Sequence, residues 1–508
     1  MNRISDISQR KKIRDVEKWT MWAIWAEGFL LALFPTLATF ALMVGVVLWI
    51  ARLYVDKNFK LRPLPYDLPM ALFVTVSAAS VAFSPVRSFD LAYNFIVLIG
   101  TYILTYVLIG QNIRTAEQIK FFIKAIGASA VIVVLCGYFQ YIFGVDIADM
   151  KWIDGEAFPE LRKRVFSTLE NPNVLAGYLD VMICIALGIL AKFGDKKQKI
   201  LLVVAIVLMA ACMAMTYSRG AFLTMAAVFI IYGVIHDWRI LLLFIALVAL
   251  LFFGDTTFSA RIVSIFTETL DSSEGLRIGI WVSTIPMIAD HPFAGVGWGA
   301  FKYIYPQYNY YLADTSITIY HAHNLYLNTA AEVGIVGALA YFWYFFGTMF
   351  MALDLSSNRR YQFITSMAEF ISLKIWEKVS KFFAELVTKI KSSKSKGKHE
   401  KSDEKRDPNL VHHDELKRSS RKKKSADKDD DKFDVQKFAE ITAAPNAKEI
   451  AEMKDKNFVE GVRLGIGLAF MSMAINGFAD DLLFNIQSSM LMWQLGALAA
   501  AANLMRNA

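Results

Sequence analysis

The residues richest in chemistry lie between His321 and Leu339, in H-A-H-N-L-Y-L-N-T-A-A-E-V-G-I-V-G-A-L. Two histidines with Asn324 adjoining stand immediately before an apolar, glycine-spaced stretch. A neutral imidazole is the side chain best suited to take a proton from a hydroxyl near neutral pH, so His323 is a candidate general base. Spacing alone supports a plainer alternative equally well: His323 or Asn324 caps a helix that begins near Leu325. Zinc takes three or four ligands, and the sequence near His321 and His323 offers neither an H-E-x-x-H pattern nor a third ligand, so no metal is expected. His291, before Pro292 in H-P-F-A-G-V-G-W-G, reads as a turn into a glycine-rich loop. His399, His412 and His413 fall in a dense run of charge and read as solvated.

Arginines form the second set. Arg219 lies in T-Y-S-R-G-A-F-L between two apolar runs, Arg277 in E-G-L-R-I-G-I-W, and Arg162, Lys163 and Arg164 just before N-P-N. A guanidinium fork binds phosphate oxygens in pairs, so a lipid-linked phosphate or pyrophosphate would account for all of them. Attraction to lipid head groups, or an interfacial anchor at Arg219, is the plain alternative. Trp298, Phe301, Tyr303, Tyr305, Tyr308, Tyr310, Tyr311 and Tyr320 would pack on sugar rings or form an interfacial belt. Asp480 and Asp481, at the end of an apolar run, read as its border.

The elements that position these residues are membrane helices. Of the 508 residues, 56% are hydrophobic, too apolar for a soluble chain of this size. We expect an all-α integral membrane protein with about twelve spans, near 19–35, 36–54, 67–83, 89–110, 118–144, 173–193, 199–217, 219–235, 239–254, 325–352, 463–480 and 487–505. Pro35 divides the first two. With the N-terminus inside, Lys57, Lys60, Arg62, Arg114, Lys120, Lys192, Lys196, Lys197, Lys199 and Arg239 fall on the cytoplasmic side, as the positive-inside rule requires. Two long loops, about 145–172 and 255–323, are then external.

The chain divides into nine or so spans over 1–254, a loop with the candidate motifs over 255–323, one span over 324–353, a charged insert over 354–462 and two spans over 463–508. The insert is expected in the cytoplasm, with a basic amphipathic helix over 359–391 and a disordered stretch over 392–432. The net charge of +8 sits in short loops and this insert, and is no sign of nucleic-acid binding. Cys136, Cys184 and Cys212 all lie within apolar runs, so no disulfide framework follows.

Taken in order, the motifs resemble the O-antigen ligase and polymerase superfamily of bacterial envelope assembly. R-V-F-S-T-L-E-N-P-N-V-L-A-G-Y-L from Arg164, S-R-G-A-F-L from Ser218, R-I-G-I-W from Arg277 with H-P-F-A-G-V-G-W-G-A-F from His291, and H-N followed by G-I-V-G carry the resemblance. It spans roughly residues 20–350 and the last two spans.

The resemblance implies a GT-C-type fold with a large periplasmic loop and a metal-independent, inverting glycosyltransferase that needs no cofactor. The implied donor is a glycan on undecaprenyl pyrophosphate. His323 matches the general base. Arg219 and Arg277 match basic residues near the pyrophosphate, with Arg164 a third, and His321, Asn324 and Asn173 take supporting or substrate-binding places. The spacing after His323 is ligase-like, so lipid A–core is the expected acceptor, at the periplasmic face of the inner membrane. A Wzy-type polymerase, extending a second lipid-linked glycan, uses the same donor chemistry; a protein O-oligosaccharyltransferase and a lipid-linked glycan transporter are further alternatives.

Overall fold

The computed structural model of the chain describes residues 2–144, 164–192, 194–235, 237–254, 273–309, 318–354, 447–481 and 485–506, with residues 259 and 263. The chain forms two compact units, one of Met1–Leu373 with Met453–Ala508, the other Lys374–Glu452. The first unit holds every candidate residue and is the subject below. Arg162, Lys163, Tyr310, Tyr311, the three histidines of the insert, and the helix and disorder expected over 359–432 lie outside the described residues.

Every described element is helical. In chain order these are α1 (Asn2–Leu30), α2 (Pro35–Val55), α3 (Asp67–Ala82), α4 (Phe89–Asn112, with a π-helical stretch at Leu98–Ile103), α5 (Ala116–Phe143), α6 (Pro172–Lys192) and α7 (Lys196–Ala214). They continue with α8 (Arg219–Ile235), α9 (Trp238–Gly254), α10 (Ser273–Asp290), α11 (Leu325–Ala352), α12 (Ala447–Asn476) and α13 (Ile486–Arg506). A helix lies at each position where a span was expected. Among the described residues, seven are long and apolar enough to cross a bilayer by length and composition. Three more, α3, α8 and α9, are shorter apolar helices. Pro35 opens α2, where its missing N–H costs nothing.

The most buried helix is α6, with 89% of its apolar window enclosed. It meets α12 backbone to backbone: a Cβ on Gly188 would stand 2.1 Å from the Gly465 nitrogen. Small residues permit this approach, as at other helix contacts in membranes. The consequence is positional, since the start of α6 and the end of α12 both reach the candidate site.

The helix after His323 is broken. Gly334 has φ 70° and ψ 175° inside α11. The freed backbone groups are taken up by the glycine-rich loop after His291. Val296 N–H donates to Ala331 O at 2.8 Å, Gly297 N–H to Glu332 O at 2.9 Å, and Ile335 N–H to Pro292 O at 2.8 Å. A Cβ on Gly334 would fall 2.3 Å from Phe293 O, and one on Gly295 2.4 Å from the Glu332 carbonyl carbon. The H-P-F-A-G-V-G and G-I-V-G motifs are therefore two halves of one backbone seam.

Candidate active site

The N-P-N sequence builds the first wall. Asn171 Oδ1 accepts from Asn173 N–H at 2.8 Å and from Val174 N–H at 3.4 Å, capping α6, while Pro172 occupies its first turn. Asn173 is left to bridge. Its Oδ1 accepts from Arg164 Nη2 at 2.9 Å, and its Nδ2 reaches Asp480 Oδ2 at 3.5 Å. Arg164 is oriented further by donating from Nε to Thr216 O at 2.7 Å. The T-Y-S-R turn that delivers Arg219 to the start of α8 is strained, with Tyr217 at φ 52°.

On the first turns of α10, Arg277 donates to Ala479 O at 2.7 Å and approaches Asp480 Oδ2 at 3.4 Å. The α10 helix is absent from the expected spans, because it lies in what reads as loop. Arg164, Asn173, Arg219, Arg277 and Asp480 together line a cavity of about 270 Å³ with Trp281 and Asn476.

His323 stands behind Asp480, not on the cavity wall. Its Nδ1 lies 3.1 Å from Asp480 Oδ1. A carboxylate only accepts, so the neutral imidazole carries its proton on Nδ1 and keeps the Nε2 lone pair available. Several bonds fix this placement. Asn324 accepts from Tyr326 and Leu327 N–H, both at 3.0 Å, and donates to Phe478 O at 3.1 Å. Leu325 N–H donates to Gly477 O at 2.8 Å, and Tyr326 Oη to Ala474 O at 2.8 Å. Asn324 is thus the helix cap, and the start of α11 is tied to the end of α12. His323 itself has φ 48°, a left-handed conformation that costs a non-glycine residue on the order of 1–3 kcal/mol and clusters at functional sites.

Asp480 is the hub. It borders the end of α12, as its sequence position suggests, but it also joins His323, Arg277 and Asn173, and accepts from Asp481 N–H at 2.9 Å. Burial alone would push its carboxyl up; the His323 hydrogen bond and the Arg277 charge outweigh this and hold it well below the usual carboxylate range. His321 packs on His323 with ring centroids 4.1 Å apart, and its Nδ1 accepts from His323 N–H at 3.2 Å. Burial, and then repulsion from His323, pull its pKa down to about 3, so it is neutral near pH 7.

Folding adds a neighbour that the local sequence does not show. Sequence neighbours offer no third ligand, but folding brings Asp480 to His321 and His323, with one donor atom from each all within 4.8 Å of one another. A cation there would compete with the Arg277 and His323 contacts that already engage both carboxylate oxygens.

The site therefore gathers Arg164, Asn173, Arg219, Arg277, His321, His323 and Asn324. The residue that joins them, Asp480, carries no local signal in the sequence: it lies 157 positions from His323. The only pointer to it is topological, since an acid at the end of α12 must face the residues that open α6, α8 and α11.

Residues 204–342 match the family model described as O-Antigen ligase. The match supports the O-antigen ligase and Wzy superfamily that the motifs resemble, and it takes in Arg219, Arg277, His321, His323 and Asn324. No curated protein matches the chain.

Proposed function

We propose that the protein is a glycosyltransferase that moves a polysaccharide from undecaprenyl pyrophosphate to a sugar hydroxyl of lipid A–core, as an O-antigen ligase. The observation that carries this reading is an imidazole hydrogen-bonded to Asp480, a carboxylate that shares the wall of a cavity with three arginines. In the reaction His323 Nε2 takes the acceptor hydroxyl proton, and the acceptor oxygen attacks the anomeric carbon from the face opposite the leaving group. The bond from that carbon to the pyrophosphate oxygen breaks, with inversion. Asp480 stabilises the imidazolium that forms, as a buried carboxylate does beside a catalytic histidine. Charge grows on the leaving pyrophosphate, and Arg219, Arg277 and Arg164 are preorganised to receive it in place of a metal ion.

Lipid A–core is the favoured acceptor because G-I-V-G follows His323 at ligase-like spacing. The polymerase reading shares the donor and every residue named, and differs only in acceptor. The orientation we propose has the site at the periplasmic face of the inner membrane. Lys192 at the far end of α6, Lys196, Lys197 and Lys199 at the far end of α7, and Arg239 just past the far end of α8 support it.

The test is transfer by purified protein in detergent with EDTA, from undecaprenyl-pyrophosphate glycan to lipid A–core or to a second lipid-linked repeat. Product on lipid A–core is expected. A lengthened lipid-linked chain would make it a polymerase, and neither product with intact donor binding would end the transferase reading.

A further inference from the structure

A second cavity, about 290 Å³, shares no lining residue with the first. The two meet the reacting pair through neighbouring positions. Asp480 walls the arginine cavity and Asp481 walls this one; Leu325, two residues after His323, lines it too. Its character is opposite. Trp298 and Tyr320 supply aromatic faces, and Asn328, Glu332 and Asp481 supply buried polar groups, 7%, 6% and 7% exposed. The cation among its lining residues, Lys302, is 2.9 Å from Asp90.

This chemistry selects a ligand class. Two buried acids beside one paired lysine disfavour a pyrophosphate. An acyl chain would offer no hydrogen bond to the polar groups of the lining. A neutral sugar meets both demands: its hydroxyls donate to carboxylates and its ring packs flat on indole or phenol. Small-molecule sites take this form, an aromatic lining with a few placed polar groups. The cavity is also firmly built. Trp298 N–H donates to Ser80 Oγ at 3.1 Å, and its ring stands edge-on to Phe73 at 5.6 Å.

We propose that this second cavity is the acceptor subsite, holding the sugar whose hydroxyl His323 deprotonates. The assignment rests on the glycosyl-transfer reading and adds where the acceptor sits and which residues select it. Asp481 and Trp298 are its specificity residues; neither lies on the arginine cavity.

The experiment uses the full-length protein in detergent, with Trp298→Phe and Asp481→Asn as conservative variants. Binding of two probes, deacylated lipid A–core oligosaccharide and lipid-free repeat-unit glycan, is followed by intrinsic tryptophan fluorescence; transfer kinetics are measured separately for donor and acceptor. We expect one probe to bind, and each variant to raise its Kd and the acceptor KM by roughly tenfold or more while the donor KM stays within about twofold. His323→Ala should still bind the probe. Failure of both probes to bind wild-type protein, wild-type constants in both variants, or a parallel rise in donor and acceptor KM would each overturn the assignment. Binding lost in the variants but no transfer by wild-type protein would keep the sugar site and remove the transferase reading instead.

Discussion

The two cavities beside Asp480 and Asp481 differ in charge more than in size, about 270 against 290 Å³. One gathers guanidinium groups around a single carboxylate; the other gathers carboxylates and aromatic rings around a single lysine. Size therefore does not distinguish the two cavities, and charge does. In the transfer we propose, a leaving pyrophosphate would suit the first cavity and a neutral hydroxyl the second. Two consecutive acids, Asp480 and Asp481, face different cavities and mark the boundary between these environments.

Substitutions can break or sharpen that contrast. The largest effect is expected from His323→Ala, which should lower glycan transfer about 10²–10⁴-fold, with membrane insertion and donor binding retained. Full activity in this variant, measured with labelled donor, would remove the base. Asp480→Asn should lower the maximal rate by about 10²-fold, since the imidazole loses its orienting carboxylate while both cavities stay intact. A purely structural Asp480 would instead show equal losses in rate and melting temperature.

Arg219→Lys and Arg277→Lys keep charge but lose the fork, so donor KM should rise roughly tenfold with acceptor KM unchanged. A change in acceptor KM would mean that the division of labour between the cavities is wrong. The smallest effect concerns pH. The folded-state pKa of Asp480 lies below its unfolded value, so its stabilisation is complete above the unfolded value of about 4 and fades as pH falls below it. Melting temperature between pH 5 and pH 3 should therefore fall more steeply in wild-type protein than in Asp480→Asn. Parallel curves would assign the acid sensitivity elsewhere.

The helices were largely legible because hydropathy is a local signal. Pro35 announces the break before α2, N-P-N announces the start of α6, and Asn324 announces the cap of α11. The arginines were legible for a related reason: a charge between apolar runs must have a use or a partner. What stayed hidden is set by contacts remote in sequence. Asp480 looks like any acid ending an apolar run until α12 is placed beside α11. Gly334 looks like a small residue for helix packing until the loop from Pro292 is laid into the break. Asp481 and Trp298 belong to segments far apart, and no spacing rule links them.

The backbone at His323 has a practical corollary. Its φ of 48° is a conformation that glycine adopts freely. His323→Gly should relieve local strain and fold at least as well as the parent, while emptying a space the shape of an imidazole ring beside Asp480. Such a vacancy invites chemical complementation. Free imidazole added to His323→Gly should diffuse in, donate its N–H to the Asp480 carboxylate and restore part of the lost turnover in a saturable, concentration-dependent way. His323→Phe, which fills the same volume without a base, should stay silent at every imidazole concentration.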